Sequence, residues 1–292
     1  MTHAAPVLPS PVVSTQWLAD HHGSDNLVVL DATVLPYSLP GGRSGYLSGD
    51  EEYLVSGHIP GAYFADLMEV FSDPDGPYPF TRPGADAFAA AAASVGVDND
   101  TRVVVYDATV GQWASRVWWL FRAFGYDNVA VLNGGFTKWT LEQRPVDVGH
   151  VQPPVGAFTA VERAGSWVTK SEVEAIVAGE TDAALVCALP PKEFSGLDGH
   201  RSRPGHIPGS VSVPASRLVD RETKALLPLD DLRAHFATVL DQPRVVTYCA
   251  GGIASASDAL VLTLLGHENV AIYDGSLNEW VADENAPVVT GA

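Results

Sequence analysis

One cysteine of this chain sits where local structure favours its ionised form. Cys249 ends the strand-like run Arg244-Val-Val-Thr-Tyr248 and opens the loop Cys249-Ala-Gly-Gly-Ile-Ala254. A helix-like apolar stretch starts at Ser255. At such a strand-to-helix turn the sulfur faces the backbone amides of Ala250, Gly251, Gly252, Ile253, Ala254 and Ser255. It also faces the positive end of the helix dipole. Both favour thiolate, the nucleophilic form of cysteine. Gly251 and Gly252 let the loop curl tightly, because glycine takes positive φ without steric cost. The same pattern also fits a buried structural cysteine, since free Cys is among the most buried residue types.

The elements that would position this loop occur twice. Residues 100–139 run from Arg102-Val-Val-Val-Tyr-Asp107 through a helix-like stretch to Gly125-Tyr-Asp-Asn-Val-Ala-Val-Leu and Trp139. Residues 241–280 run from Arg244-Val-Val-Thr-Tyr-Cys249 through another to Gly266-His-Glu-Asn-Val-Ala-Ile-Tyr and Trp280. Gly57-His-Ile-Pro-Gly61 is echoed by Gly205-His-Ile-Pro-Gly209, and Leu27-Val-Val-Leu-Asp31 by Ala183-Ala-Leu-Val-Cys187. Such self-similarity predicts one domain present twice in tandem. Short β-branched runs alternating with amphipathic stretches predict an α/β fold, each copy a mainly parallel sheet with helices on both faces. The expected boundaries are an N-terminal extension at 1–14, a first domain at 15–145, a linker at 146–165 and a second domain at 166–292. Asp107 and Cys249 hold the same place in the repeat, at a strand's carboxyl end, where such sheets build their sites. A carboxylate among amides mimics a bound anion but cannot carry sulfur, so the chemistry is assigned to the second copy.

Bulk properties narrow the partners. Of 292 residues, 46% are hydrophobic and 18% charged, enough for real cores. A net charge of -18 argues against nucleic-acid or anionic-membrane binding. Two cysteines make no disulfide framework and suit a reducing cytoplasm. Neither a signal peptide, a transmembrane run nor metal-ligand spacing is visible, and no cofactor is expected. His58 and His206 read as turn-fixing residues, and Trp118, Trp119 and Trp139 as packing.

Together the two His-Ile-Pro-Gly turns, Ser115-Arg-Val-Trp-Trp119, Val131-Leu-Asn-Gly-Gly-Phe136, the Cys249 loop and Tyr273-Asp-Gly-Ser276 carry a family likeness. From about Trp17 onward the chain resembles the two-domain rhodanese-type sulfurtransferases, which use thiosulfate or 3-mercaptopyruvate. The resemblance implies an inactive first rhodanese domain and a catalytic second one. It also implies a Cys249 persulfide, formed from a small anionic sulfur donor and discharged to a thiophilic acceptor such as cyanide or a thiol. A six-residue loop suits sulfur in this superfamily, whereas its phosphatases use a longer loop ending in arginine. No Lys or Arg occurs from Cys249 to Ala292. Ala250 and Gly251 stand where thiosulfate-preferring members carry basic side chains, and Gly251 where mercaptopyruvate-preferring members carry serine. Glu193 falls at the family's substrate-binding arginine. The nearest candidate cations for a donor are therefore Arg201 and Arg203, with Arg116 in the first copy more a structural partner, possible for Asp107, than a substrate contact. Cys187 replaces the expected strand-end aspartate and is a candidate resolving thiol for Cys249. Thiosulfate is the expected donor; the alternatives are 3-mercaptopyruvate sulfurtransferase or a non-catalytic sulfur-carrier or redox-sensing module.

Overall fold

The β-branched runs form the strands of two five-stranded sheets in a computed structural model that describes residues 6–38, 44–199 and 201–291. The first sheet holds β1 (Val12–Val13), β2 (Leu27–Asp31), β5 (Tyr63–Phe64), β6 (Arg102–Tyr106) and β7 (Val129–Leu132), in the order β1-β7-β6-β2-β5. The second holds β8 (Trp167–Val168), β9 (Ala184–Cys187), β10 (Val211–Ser212), β11 (Val245–Tyr248) and β12 (Val270–Tyr273), in the order β10-β9-β11-β12-β8. Read from the opposite edge, the second order repeats the first. Every pairing in both sheets is parallel. Parallel strands are covered on both faces, which is why β6, β7, β11 and β12 are near-continuous apolar runs and almost wholly buried.

In the first copy the covering helices are α1 (Thr15–His21), α2 (Asp50–Val55), α3 (Ala85–Ser94), α4 (Gln112–Ala123) and α5 (Gly135–Leu141). In the second they are α6 (Lys170–Val177), α7 (Pro191–Phe194), α8 (Leu229–Phe236), α9 (Ala254–Leu264) and α10 (Ser276–Trp280). Trp113, Trp118, Trp119 and Trp139 are all buried. Among the described residues an antiparallel hairpin, β3 (Val34–Ser38) with β4 (Ser44–Ser48), interrupts the first copy only.

The chain divides into two compact units. One takes residues up to Pro74, Arg82–Arg163 and Arg221–Leu226; the other takes Asp75–Thr81, Ala164–Asp220 and Leu227 onward. Two details differ from the simplest tandem reading. Val12 and Val13 pair with Val131 and Leu132, so the first strand begins before residue 15. The proline-bearing stretch before Ala164 belongs with the first unit, because Phe158 is buried against the rings of Phe88, Phe121 and Tyr126.

Both His-Ile-Pro-Gly turns are built alike. His58 Nδ1 meets the Tyr53 carbonyl at 3.0 Å and stacks on that ring. His206 Nδ1 meets the Phe194 carbonyl at 2.8 Å and stacks on Phe194. The next amide, Ile59 or Ile207, donates to the tyrosine ending the central strand, Tyr106 at 3.1 Å or Tyr248 at 3.0 Å. Each turn is thereby pinned to the strand that delivers Asp107 or Cys249.

Candidate active site

β11 lies between β9 and β12 and delivers Cys249 from the carboxyl end of a central strand. The loop then enters α9 at Ala254. α10 closes it from behind: Leu277 N donates to the Cys249 carbonyl at 3.2 Å, and Asn278 N to the Ala250 carbonyl at 2.9 Å. Gly252 takes the expected positive φ, 79°. Gly251 does not. A Cβ there would stand 2.9 Å from Asn278 Nδ2 and 3.6 Å from the Pro79 carbonyl. Cys249 is only 2% exposed, and the half-buried loop residues beside it are Ala250 and Ala254.

The first copy shows what this loop architecture holds. Asp107 Oδ1 accepts from Thr109 N at 2.8 Å, Thr109 Oγ1 at 2.9 Å and Gly111 N at 3.0 Å. Oδ2 accepts from Trp113 N and Ala114 N, each at 3.0 Å. The carboxylate is thus wrapped by four backbone amides and a hydroxyl, an anion already seated in its cradle. In each copy the helix begins five residues after this strand-end position, at Gln112 and at Ala254. The corresponding positions after Cys249 are Gly251, Ile253, Ser255 and Ala256, of which Ala256 N donates to the Ile253 carbonyl. Such donors stabilise negative charge on sulfur and the charge that moves during its transfer.

Two acidic groups neighbour the sulfur. Cys187 is Tyr248's register partner on β9 and has no exposed surface. Burial pushes its thiol up to about 12, with Cys249 and Asp258 adding to the rise while the Leu189 amide and Tyr248 hydroxyl oppose it. It is a protonated thiol at neutral pH and must lose that proton before attacking Cys249. Sequence reading passed over Asp258, which sits within apolar α9. It is wholly buried, and neither carboxyl oxygen has a hydrogen-bond partner among the described residues. Burial first, then the charge of Cys249, lifts it well above the usual aspartate range, which favours the neutral acid. The repeat contained a signal for it: Asp258 occupies the place of Arg116 in the first copy.

An acid whose folded pKa is raised binds an extra proton in the folded state. Its contribution to stability therefore declines as pH climbs above the unfolded value of 3.8. Stability measured by denaturant titration should fall over that window with a slope approaching one proton, about 1.4 kcal/mol per pH unit, from this group. In Asp258→Asn that component should vanish, so the variant's stability should change less with pH than that of wild type. Equal slopes for the two proteins would show that Asp258 is ionised in the fold.

The candidate cations are differently placed. Arg201 Nη1 pairs with Glu193 Oε2 at 2.8 Å, so the arginine expected by resemblance at position 193 is replaced by one reaching that position from Arg201. Arg201 Nε has no partner among the described residues. Arg203 binds main chain, donating to the Asp283 carbonyl at 2.7 Å and to that of Ala286, and so clamps the turn after α10. Arg116 is wholly buried in α4 of the first unit.

A rhodanese-like domain model matches residues 14–142 and again 169–283. The chain belongs to the rhodanese family. It is 34% identical over 280 residues to the 3-mercaptopyruvate sulfurtransferase of Escherichia coli, spanning 94% of this chain and 96% of that one. It is 35% identical over 291 residues to the thiosulfate sulfurtransferase of Rattus norvegicus, spanning 94% and 93%. The crystal structure of SseA, a 3-mercaptopyruvate sulfotransferase of Escherichia coli, superposes with a TM-score of 0.79 at 32% identity, covering 91% of this chain and 98% of that one. This rhodanese is a sulfurtransferase, acting between a sulfur donor and an acceptor. Among the described residues no helix is long and apolar enough to cross a membrane.

Proposed function

We propose that the second copy, residues 166–292, moves a sulfane sulfur from thiosulfate to a thiophilic acceptor through a persulfide on Cys249, and that the first copy is non-catalytic. The observation that carries this reading is the paired loops: where one copy seats a carboxylate in an amide cradle, the other places a thiol. In the first half-reaction the Cys249 thiolate attacks the outer sulfur of thiosulfate. A new S–S bond forms as the donor's S–S bond breaks, and sulfite leaves with its electron pair. In the second, cyanide or a thiolate attacks the outer sulfur and the Cys249 thiolate is released. No metal or cofactor takes part, and the charge stays on sulfur or oxygen within reach of the amides. Two free thiols suit a reducing cytoplasm.

Arg201 is the proposed contact for the donor's anionic end, being a guanidinium with only one carboxylate partner described. Parallel assays with thiosulfate and 3-mercaptopyruvate, each with cyanide and each read as thiocyanate, test the donor. Arg201→Ala should raise KM for the preferred donor by roughly 10-fold, the loss of one charged hydrogen bond, with kcat little changed. Faster turnover with 3-mercaptopyruvate would move the assignment to that donor. Persulfide formation without turnover of either would favour a carrier role.

A further inference from the structure

We propose that Ser276 is a positioning residue for sulfur transfer, a fixed acceptor that turns two loop amides away from the sulfur so that the others face it. The proposal rests on Cys249 as the sulfur carrier. Ser276 is wholly buried and opens α10, on a different element from the loop it organises. Its Oγ accepts from Cys249 N and from Gly252 N, each at 3.1 Å, and donates to the Tyr273 carbonyl at 2.8 Å. One hydroxyl therefore ties both the start and the middle of the loop to the end of β12.

The first copy shows why these two amides matter. There the inward amides, which grip the Asp107 carboxylate, are those of Thr109, Gly111, Trp113 and Ala114. Their equivalents are Gly251, Ile253, Ser255 and Ala256. Ala256 N already donates to the Ile253 carbonyl at 3.0 Å, which leaves three for sulfur. Cys249 N and Gly252 N fall outside that set, and they are the two that Ser276 takes. The pair of amides that Ser276 takes therefore does not overlap the set that corresponds to the first copy's inward amides.

The backbone supplies an independent observation. Ser276 has φ of 48°, a left-handed conformation uncommon for a residue with a Cβ. The same turn in the first copy holds Gly135 at φ 52°, where a Cβ would stand 2.2 Å from the Asp107 carbonyl. Glycine is the relaxed choice for this turn, yet the copy bearing the thiol carries serine and accepts the strain. Strained side-chain-bearing residues of this kind cluster at functional sites. The hydroxyl is what the strain retains.

Ser276→Gly separates positioning from simple structural support, because glycine relieves the backbone while removing the hydroxyl. The variant should keep a melting temperature within a few degrees of wild type. Its kcat for thiocyanate formation should fall about 10-fold or more, with KM for the donor nearly unchanged. The pH midpoint for alkylation of Cys249 by iodoacetamide should rise by roughly one unit, as the inward amides lose register. Alkylation requires no sulfur donor, so it reads the cradle even where the donor assignment fails. Ser276→Ala should reproduce both changes if Ser276→Gly does not fold. Variants that fold and keep both kcat and the alkylation midpoint within twofold and 0.2 unit of wild type would overturn the proposal. So would a loss of kcat with the midpoint unmoved.

Discussion

Cys249→Ser should eliminate thiocyanate formation, lowering kcat by at least about 10³-fold, and the protein should no longer gain the mass of one sulfur atom when incubated with donor. A hydroxyl in this place is a far weaker nucleophile than a thiolate and forms no persulfide, and single losses of a nucleophile are among the largest effects seen in enzymes. The fold should be undisturbed, since the side chain is nearly isosteric and the bonds that hold the loop are made by backbone groups and Ser276. Cys187→Ser is the matched control. Its thiol is buried and protonated, so the variant should keep most of the turnover. Mass spectrometry after peroxide treatment then tests the second cysteine's proposed resolving role: a Cys187–Cys249 linkage supports it, and higher oxides on Cys249 alone oppose it. Substantial turnover by Cys249→Ser would place the sulfur-carrying group elsewhere in the molecule.

The second large effect is on stability and lies in the copy without the thiol. Asp107→Ala strips the acceptor from four backbone amides at once. Buried donors left without partners are costly, and loss of a buried carboxylate from its donors should destabilise the protein by roughly 3–5 kcal/mol. The vacated cradle is a preformed anion site at a helix N-terminus. Sulfate or thiosulfate should therefore restore part of the loss, with the melting temperature rising as anion is added, while wild type responds little. Asp107→Asn should be milder, because its one carbonyl oxygen still accepts. An Asp107→Ala protein as stable as wild type, or one indifferent to anions, would contradict the cradle. The same experiment bears on Cys249, because it measures how strongly a loop of this shape prefers negative charge.

Much of this was legible in the residues themselves. Alternating β-branched and amphipathic runs specify parallel strands and covering helices, since the period of burial follows from local geometry. The repeated Arg-Val-Val-x-Tyr and His-Ile-Pro-Gly motifs align the two copies and put Cys249 and Asp107 at matching strand ends. The place of Cys249 between a strand, two glycines and a helix marked it as a candidate nucleophile. Resemblance to the rhodanese-type sulfurtransferases added the persulfide.

Other features had to wait for coordinates, because they depend on which distant groups meet. Gly251 was read as a flexible turn residue, yet its φ is not positive, and its nearest neighbours, Asn278 and Pro79, come from other parts of the chain. The arginines could be named, but their partners Glu193, Asp283 and Ala286 depend on how loops return to the sheet. Asp258 was marked only by its match to Arg116 in the repeat, and its burial without a hydrogen-bond partner among the described residues appears only in the folded chain. Ser276 lies 27 residues beyond Cys249, and nothing between them announces the bond. The residues determined the fold and pointed to its candidate reactive atom, for these follow from short-range periodicity and spacing. The tertiary structure decided how that atom is held, because hydrogen bonds and burial are properties of groups that only folding brings together.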